Sequence, residues 1–145
     1  MSRDDIKDIP YLESEATEAD IADLKDCVYE IETGIFYLYE TPHFSEFSIR
    51  VMRDAIQELL GDRKHYILVV DLSRARRPNA EARRHLKNMY SVVKPSFAIA
   101  FTGRNRLLTM AVRFVFTSLL DHDRYEIFRT REEALDAARQ KLSEQ

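Results

Sequence analysis

The sequence predicts an α/β domain: a mixed sheet of about five strands, mostly parallel after an N-terminal hairpin and covered by about four helices. Three observations predict it. Two runs rich in β-branched and aromatic residues, Cys27–Glu32 and Ile35–Glu40, flank Thr33-Gly34, where glycine supplies the positive φ of a tight turn. Two continuous apolar runs, Tyr66–Val70 ("YILVV") and Ser96–Thr102 ("SFAIAFT"), have the length and composition of strands covered on both faces. Between and after them, apolar residues recur at helical spacing. The element order is therefore ββαβαβαβα. Strand–helix alternation implies right-handed crossovers and parallel pairing.

Each element has its own signal. Phe44, Phe47, Val51, Ala55, Ile56 and Leu59 share a helical face, and Gly61 follows where a helix end favours glycine. Asn79 can cap the next helix. Its apolar stripe is Ala82, Leu86, Met89 and Val93, and Pro95 stops it. Gly103 permits a turn before a helix over Asn105–Leu120. Tyr125–Thr130 reads as the last strand. Thr130-Arg131-Glu132-Glu133 is a capping box that opens a final helix through Ala134, Leu135 and Ala138.

The chain of 145 residues fits one domain. Residues 26–145 are expected to form it, preceded by an acidic, loosely ordered segment over 1–25 in which Thr17 and Asp20 have capping-box spacing. No apolar run reaches the roughly 18 residues of a membrane span, and the acidic N-terminus has no apolar stretch typical of a secretory signal. A cytoplasmic location is expected. The one cysteine, Cys27, opens a strand and reads as a buried thiol.

Charge is unevenly distributed. Residues 1–26 hold nine acidic and three basic side chains, a balance of −6. Residues 74–113 hold ten Lys/Arg against Glu81 alone, a balance of +9. In open α/β sheets ligands gather beyond the carboxyl ends of parallel strands. Arg74, Arg76 and Arg77 follow one such end; Arg104 and Arg106 follow another. If those strands are neighbours, five guanidinium groups share a rim with two helix N-termini. Such a rim suits a phosphate, a carboxylate or an acidic protein loop; the alternative is a solvated basic edge. Asn79 and Asn105 would add hydrogen bonds.

Other chemistries find little support. "TGRNR", Thr102–Arg106, has one glycine and no Lys-Ser/Thr pair, so it is not a phosphate-binding loop of the nucleotide type. The histidines His43, His65, His85 and His122 are scattered, and no metal or other cofactor is expected. "DHD", Asp121–Asp123, has the acids for a cation but follows a helix end, where a polar loop is expected anyway. No nucleophile motif stands out, so the chain is expected not to be an enzyme. Nucleic acid is disfavoured by the acidic lead-in and by the lack of stacking aromatics near the arginines.

The helix "LLTMAVRFVFTSLL", Leu107–Leu120, is apolar on more than one side. Leu107, Met110, Ala111, Phe114, Val115 and Leu119 are expected to face the sheet. Leu108, Val112, Phe116 and Leu120 would then cover a second surface: a neighbouring helix, a second protomer or partner protein, or a lipid or small apolar ligand.

A hairpin, alternating helices and strands, "VVDLS" closing the central strand, and the ending "FRTREEALDAARQKL" resemble the STAS domain, the fold of bacterial anti-sigma-factor antagonists. The resemblance covers about residues 27–143. It implies a regulatory, protein-binding module without catalysis. In signalling members an Asp-Ser-Ser-Gly turn carries a serine whose phosphorylation switches binding off. Here the equivalent stretch is Asn79-Ala80-Glu81-Ala82, which has no hydroxyl, so that switch is not carried over. Glu81 places a fixed negative charge near the helix start. Ser73 is the remaining hydroxyl at the junction, expected to bond the backbone at the strand end. The expected function is recognition of an acidic protein surface or anionic ligand at residues 73–81 and 103–106, with a small apolar ligand or lipid along 107–120 as the alternative. A homodimer through that helix is a further expectation.

Overall fold

The computed structural model describes residues 13–120 and 123–145. A short 3-10 turn at Glu13–Glu15 leads into α1 (Glu18–Asp26). The rest runs β1 (Val28–Glu32), β2 (Ile35–Tyr39), α2 (Glu46–Leu60), β3 (Ile67–Asp71), α3 (Ala80–Val93), β4 (Phe97–Phe101), α4 (Arg106–Leu119), β5 (Tyr125–Phe128) and α5 (Arg131–Ser143). The five strands lie in sequence order, with β1 antiparallel to β2 and the others parallel. This is the predicted α/β mixed sheet.

Local chemistry sets the element boundaries. Gly34 turns the hairpin at φ +86°, and its N–H donates to Glu30 at 2.8 Å. Side-chain oxygens of Ser45, Asn79, Asn105 and Thr130 each cap a helix, satisfying an N–H that the helix itself leaves orphaned. Residues of β2, β3 and β4 are buried throughout, because helices cover both faces of the sheet. Right-handed crossovers put α2, α3 and α4 on one face. There Tyr66 donates its hydroxyl to the Val93 carbonyl of α3. Helix α5 lies on the other face, where Arg131 sits over the Tyr37 ring and Lys141 over Phe97.

Two expectations are corrected. The lead-in is not loose at its carboxyl end: α1 packs on α2 and β1, and Leu24 is fully buried. The capping box at Thr17 and Asp20 starts that helix; residues 1–12 lie outside the described residues. The second correction concerns the faces of α4: Val115 and Leu119 turn inward as expected, but the rest of the two stripes exchange places. Leu108, Val112, Val115 and Phe116 are buried, whereas Leu107, Met110 and Phe114 are exposed by 73%, 68% and 67%. The reason is placement. Helix α4 touches both α3 and β5, so Phe116 packs edge-on against Tyr90 of α3 (5.6 Å) and beside Tyr125 of β5 (5.5 Å). Leu108, Val112 and Phe116 therefore belong to the core and not to a partner surface. Leu120 is partly buried against the same cluster.

No described helix is long and apolar enough to cross a membrane. Among the described residues no group of three or more His, Cys, Asp or Glu is placed to hold a metal ion. The Asp121-His122 part of "DHD" lies outside them.

Candidate functional site

Four parallel strands stop in one row: Tyr39 pairs with Asp71, Asp71 with Phe101, and Phe101 with Phe128. The segments after them leave the sheet at the same end. Because β3 and β4 are neighbours, the arginine turns 74–77 and 104–106 follow adjacent strand ends there. Backbone bonds fix the rim. Arg76 N–H donates to the Pro42 carbonyl at 2.9 Å and Leu72 N–H to the Phe101 carbonyl at 3.0 Å.

The residues expected at this rim divide by role. Arg76, Arg77, Arg104 and Arg106 are exposed. None has an ion-pair partner among the described residues, whose pairs all involve other cations. Arg74 is different. Its guanidinium stacks 4.0 Å from the centre of the Tyr39 ring, and its Nε donates to the Glu40 carbonyl at 2.8 Å. A side chain held this way braces the loop, so Arg74 is removed from the binding set.

Asn79 and Asn105 are committed as caps: their Oδ1 atoms accept from Ala82 N–H at 2.8 Å and Leu108 N–H at 3.0 Å. Ser73 does not bond the strand-end backbone as expected. Its N–H and Oγ both donate to Asp71 Oδ1, at 2.9 and 2.6 Å. Asp71 Oδ2 accepts from the buried Tyr37 hydroxyl, so this carboxylate fastens the loop to the sheet. Burial, with Asp71 beside it, holds the Tyr37 hydroxyl well above the usual phenol range. Glu81 faces His85, 3.7 Å away on the next turn of α3, and does not neutralise the rim.

Beside the rim lies an open cleft of about 720 Å³, between the first half of α4 and the carboxyl end of β5. Arg104, Arg106, Arg113 and Arg129 line it, with Met110 and Phe128 among its apolar walls. On the other side of α4, Arg77 and Arg83 border a smaller groove against Phe114. The exposed residues Leu107, Met110 and Phe114 thus form an apolar ridge between two arginine-lined grooves.

Under the rim, Glu40 is 97% buried, its side chain on the α3–α4 side of the sheet. It shares the lining of a small cavity with Phe44, Leu72, Pro78, Tyr90, Leu108 and Phe116. Its Oε1 accepts from Thr41 N–H at 3.0 Å. Burial pushes its carboxyl up to about 7, although the Thr41 hydrogen bonds and the Arg74 charge pull it down. The cavity here measures about 30 Å³, room for about one water and not for an acyl chain.

Sequence reasoning missed Arg113, Arg129, the apolar ridge and Glu40. Arg129 carries the same signal as Arg104: it is the arginine just past a strand's carboxyl end. Arg113 lies seven residues after Arg106, two helical turns along the same face. Glu40 offered only an acid at the end of an aromatic strand, which does not reveal burial. No known family model matches the chain, and no curated protein matches it in sequence.

Proposed function

We propose that this chain is a non-enzymatic interaction module, of the kind its STAS resemblance implies, that docks an acidic protein surface in the cytoplasm. The single observation that carries this reading is the in-register row of strand ends. It brings the turns that carry Arg76 and Arg77 and those that carry Arg104 and Arg106 to one end of the sheet, and all four side chains are exposed without carboxylate partners among the described residues. Exposed cations at this density repel one another, and an acidic surface relieves that cost. The ridge of Leu107, Met110 and Phe114 adds apolar anchors beside the charge, the mixture typical of a protein interface. The loop does not offer the family's serine switch: Asn79 caps α3, and Glu81 belongs to its first turn.

The test is a pull-down with wild type and the double variant Arg76→Glu/Arg104→Glu. Both side chains are exposed, so the variant is expected to keep its melting temperature within about 2 °C, matching a surface effect near 0.5 kcal/mol. Proteins captured by wild type are expected to be lost. Equal capture by a folded variant rejects the rim as the docking site.

A further inference from the structure

The cleft beside β5 supports a separate assignment that does not rest on protein docking. We propose that it binds a small organic phosphate, a molecule with a phosphate group and an apolar or aromatic body. The argument begins with topology. The connection after β4 goes to the face that carries α4, while the connection after β5 goes to the opposite face, where α5 lies. Adjacent parallel strands whose connections diverge in this way leave a crevice at their carboxyl ends, the place where open α/β sheets bind ligands. At its base, Gly103 N–H donates to the Arg129 carbonyl at 3.0 Å and ties the two lips together.

The lining specifies the guest. Arg104 and Arg106 come from the β4 side, Arg113 from the third turn of α4 and Arg129 from the end of β5. Among the described residues, no acidic side chain lines the cleft, and none of the four arginines, all exposed, has an ion-pair partner. Guanidinium groups are suited to phosphate because their forked N–H groups match two of its oxygens. Met110 and Phe128 supply apolar walls that a bare inorganic anion leaves unused. The volume of about 720 Å³ lies within the range of small-molecule sites. Gly103 leaves its side open, since a Cβ there meets nothing within 4 Å.

The experiment is calorimetric titration of the whole chain with ATP and with pyrophosphate, both without added metal. Wild type is expected to bind ATP more tightly than pyrophosphate. Arg113→Glu/Arg129→Glu is expected to weaken ATP binding at least about tenfold, the scale of losing charge-assisted hydrogen bonds to phosphate. Arg76→Glu/Arg77→Glu, outside the cleft, is expected to leave ATP affinity unchanged and to weaken capture of acidic proteins. Absence of ATP binding at about 1 mM, the weak end of specific recognition, overturns the proposal. So does equal ATP affinity in the Arg113/Arg129 variant. Pyrophosphate binding as tightly as ATP overturns the organic part of the ligand. Arg113→Gln/Arg129→Gln, with the melting curve followed, separates lost binding from lost folding. The docking reading fails or stands on the separate pull-down.

Discussion

Glu40 is a carboxyl placed where ionisation is costly. Its value in the fold is about 7, against 4.5 for an ordinary glutamate, and burial is the dominant cause. Folding therefore favours the protonated form. That contribution is fully present below about pH 4.5, fades as pH rises towards 7, and is gone above it. The gap between the two values corresponds to roughly 3 kcal/mol between the acidic and alkaline limits. Glu40→Gln keeps an oxygen to accept from Thr41 and removes the charge. We predict that the variant is more stable than wild type at pH 8, and that this gain shrinks by roughly 2–3 kcal/mol at pH 5. Urea unfolding at the two pH values measures it; a gain independent of pH sinks the assignment. The residue also matters to the rim, because Leu72 and Pro78, which line the same cavity, flank the 73–77 turn and Arg74 donates to its own carbonyl.

The faces of α4 set the balance between core and contact surface. Phe116 touches Tyr90 and Tyr125 in the interior, whereas Phe114 stands in solvent. Phe116→Ala is predicted to cost about 3–5 kcal/mol and Leu108→Ala about 2–5, as buried truncations leave cavities. Phe114→Ser is predicted to stay within about 0.5 kcal/mol, an ordinary surface effect. Denaturant midpoints of the three variants decide it, and a costly Phe114→Ser restores the face first read from the sequence. Much of the fold was legible because local chemistry and global packing agree. Asn79, Asn105 and Thr130 announce helix starts, and the runs in β3 and β4 are apolar on both sides because both faces are covered. Helix α4 was misread because two apolar stripes compete on it, and spacing alone does not rank them. The arginines do rank them: at about 100° per residue, Arg106 and Arg113 share the face of Met110, Leu107 and Phe114, which marks that face as the wet one. The site was legible as charge but not as contact. That Arg74 lies on Tyr39, or that Asp71 holds Ser73, depends on strand register and loop path, which residue order does not encode.

Across the whole molecule, charge is separated along the sheet. The acidic helix α1 packs at the β1 edge, and the arginine-lined α4 packs at the β5 edge. This arrangement bears on whether two copies pair through α4. A two-fold contact sets each patch against itself, so Arg77, Arg83, Arg106 and Arg113 of one copy would meet the same residues of the other. Each like-charge pair at contact distance costs about 1 kcal/mol even at the dielectric constant of water. Several such pairs remove a large share of the roughly 6–7 kcal/mol that binding at tens of micromolar requires. We therefore predict a monomer at tens of micromolar in about 50 mM salt, where the Debye length of about 14 Å leaves those charges unscreened. Binding of an acidic partner should move the other way and weaken as salt rises, because its attraction to the rim is screened. Sedimentation and partner titration across a salt series test both signs. A low-salt dimer that Phe114→Ser dissolves would make the ridge a self-interface and leave an acidic partner only the strand-end rim.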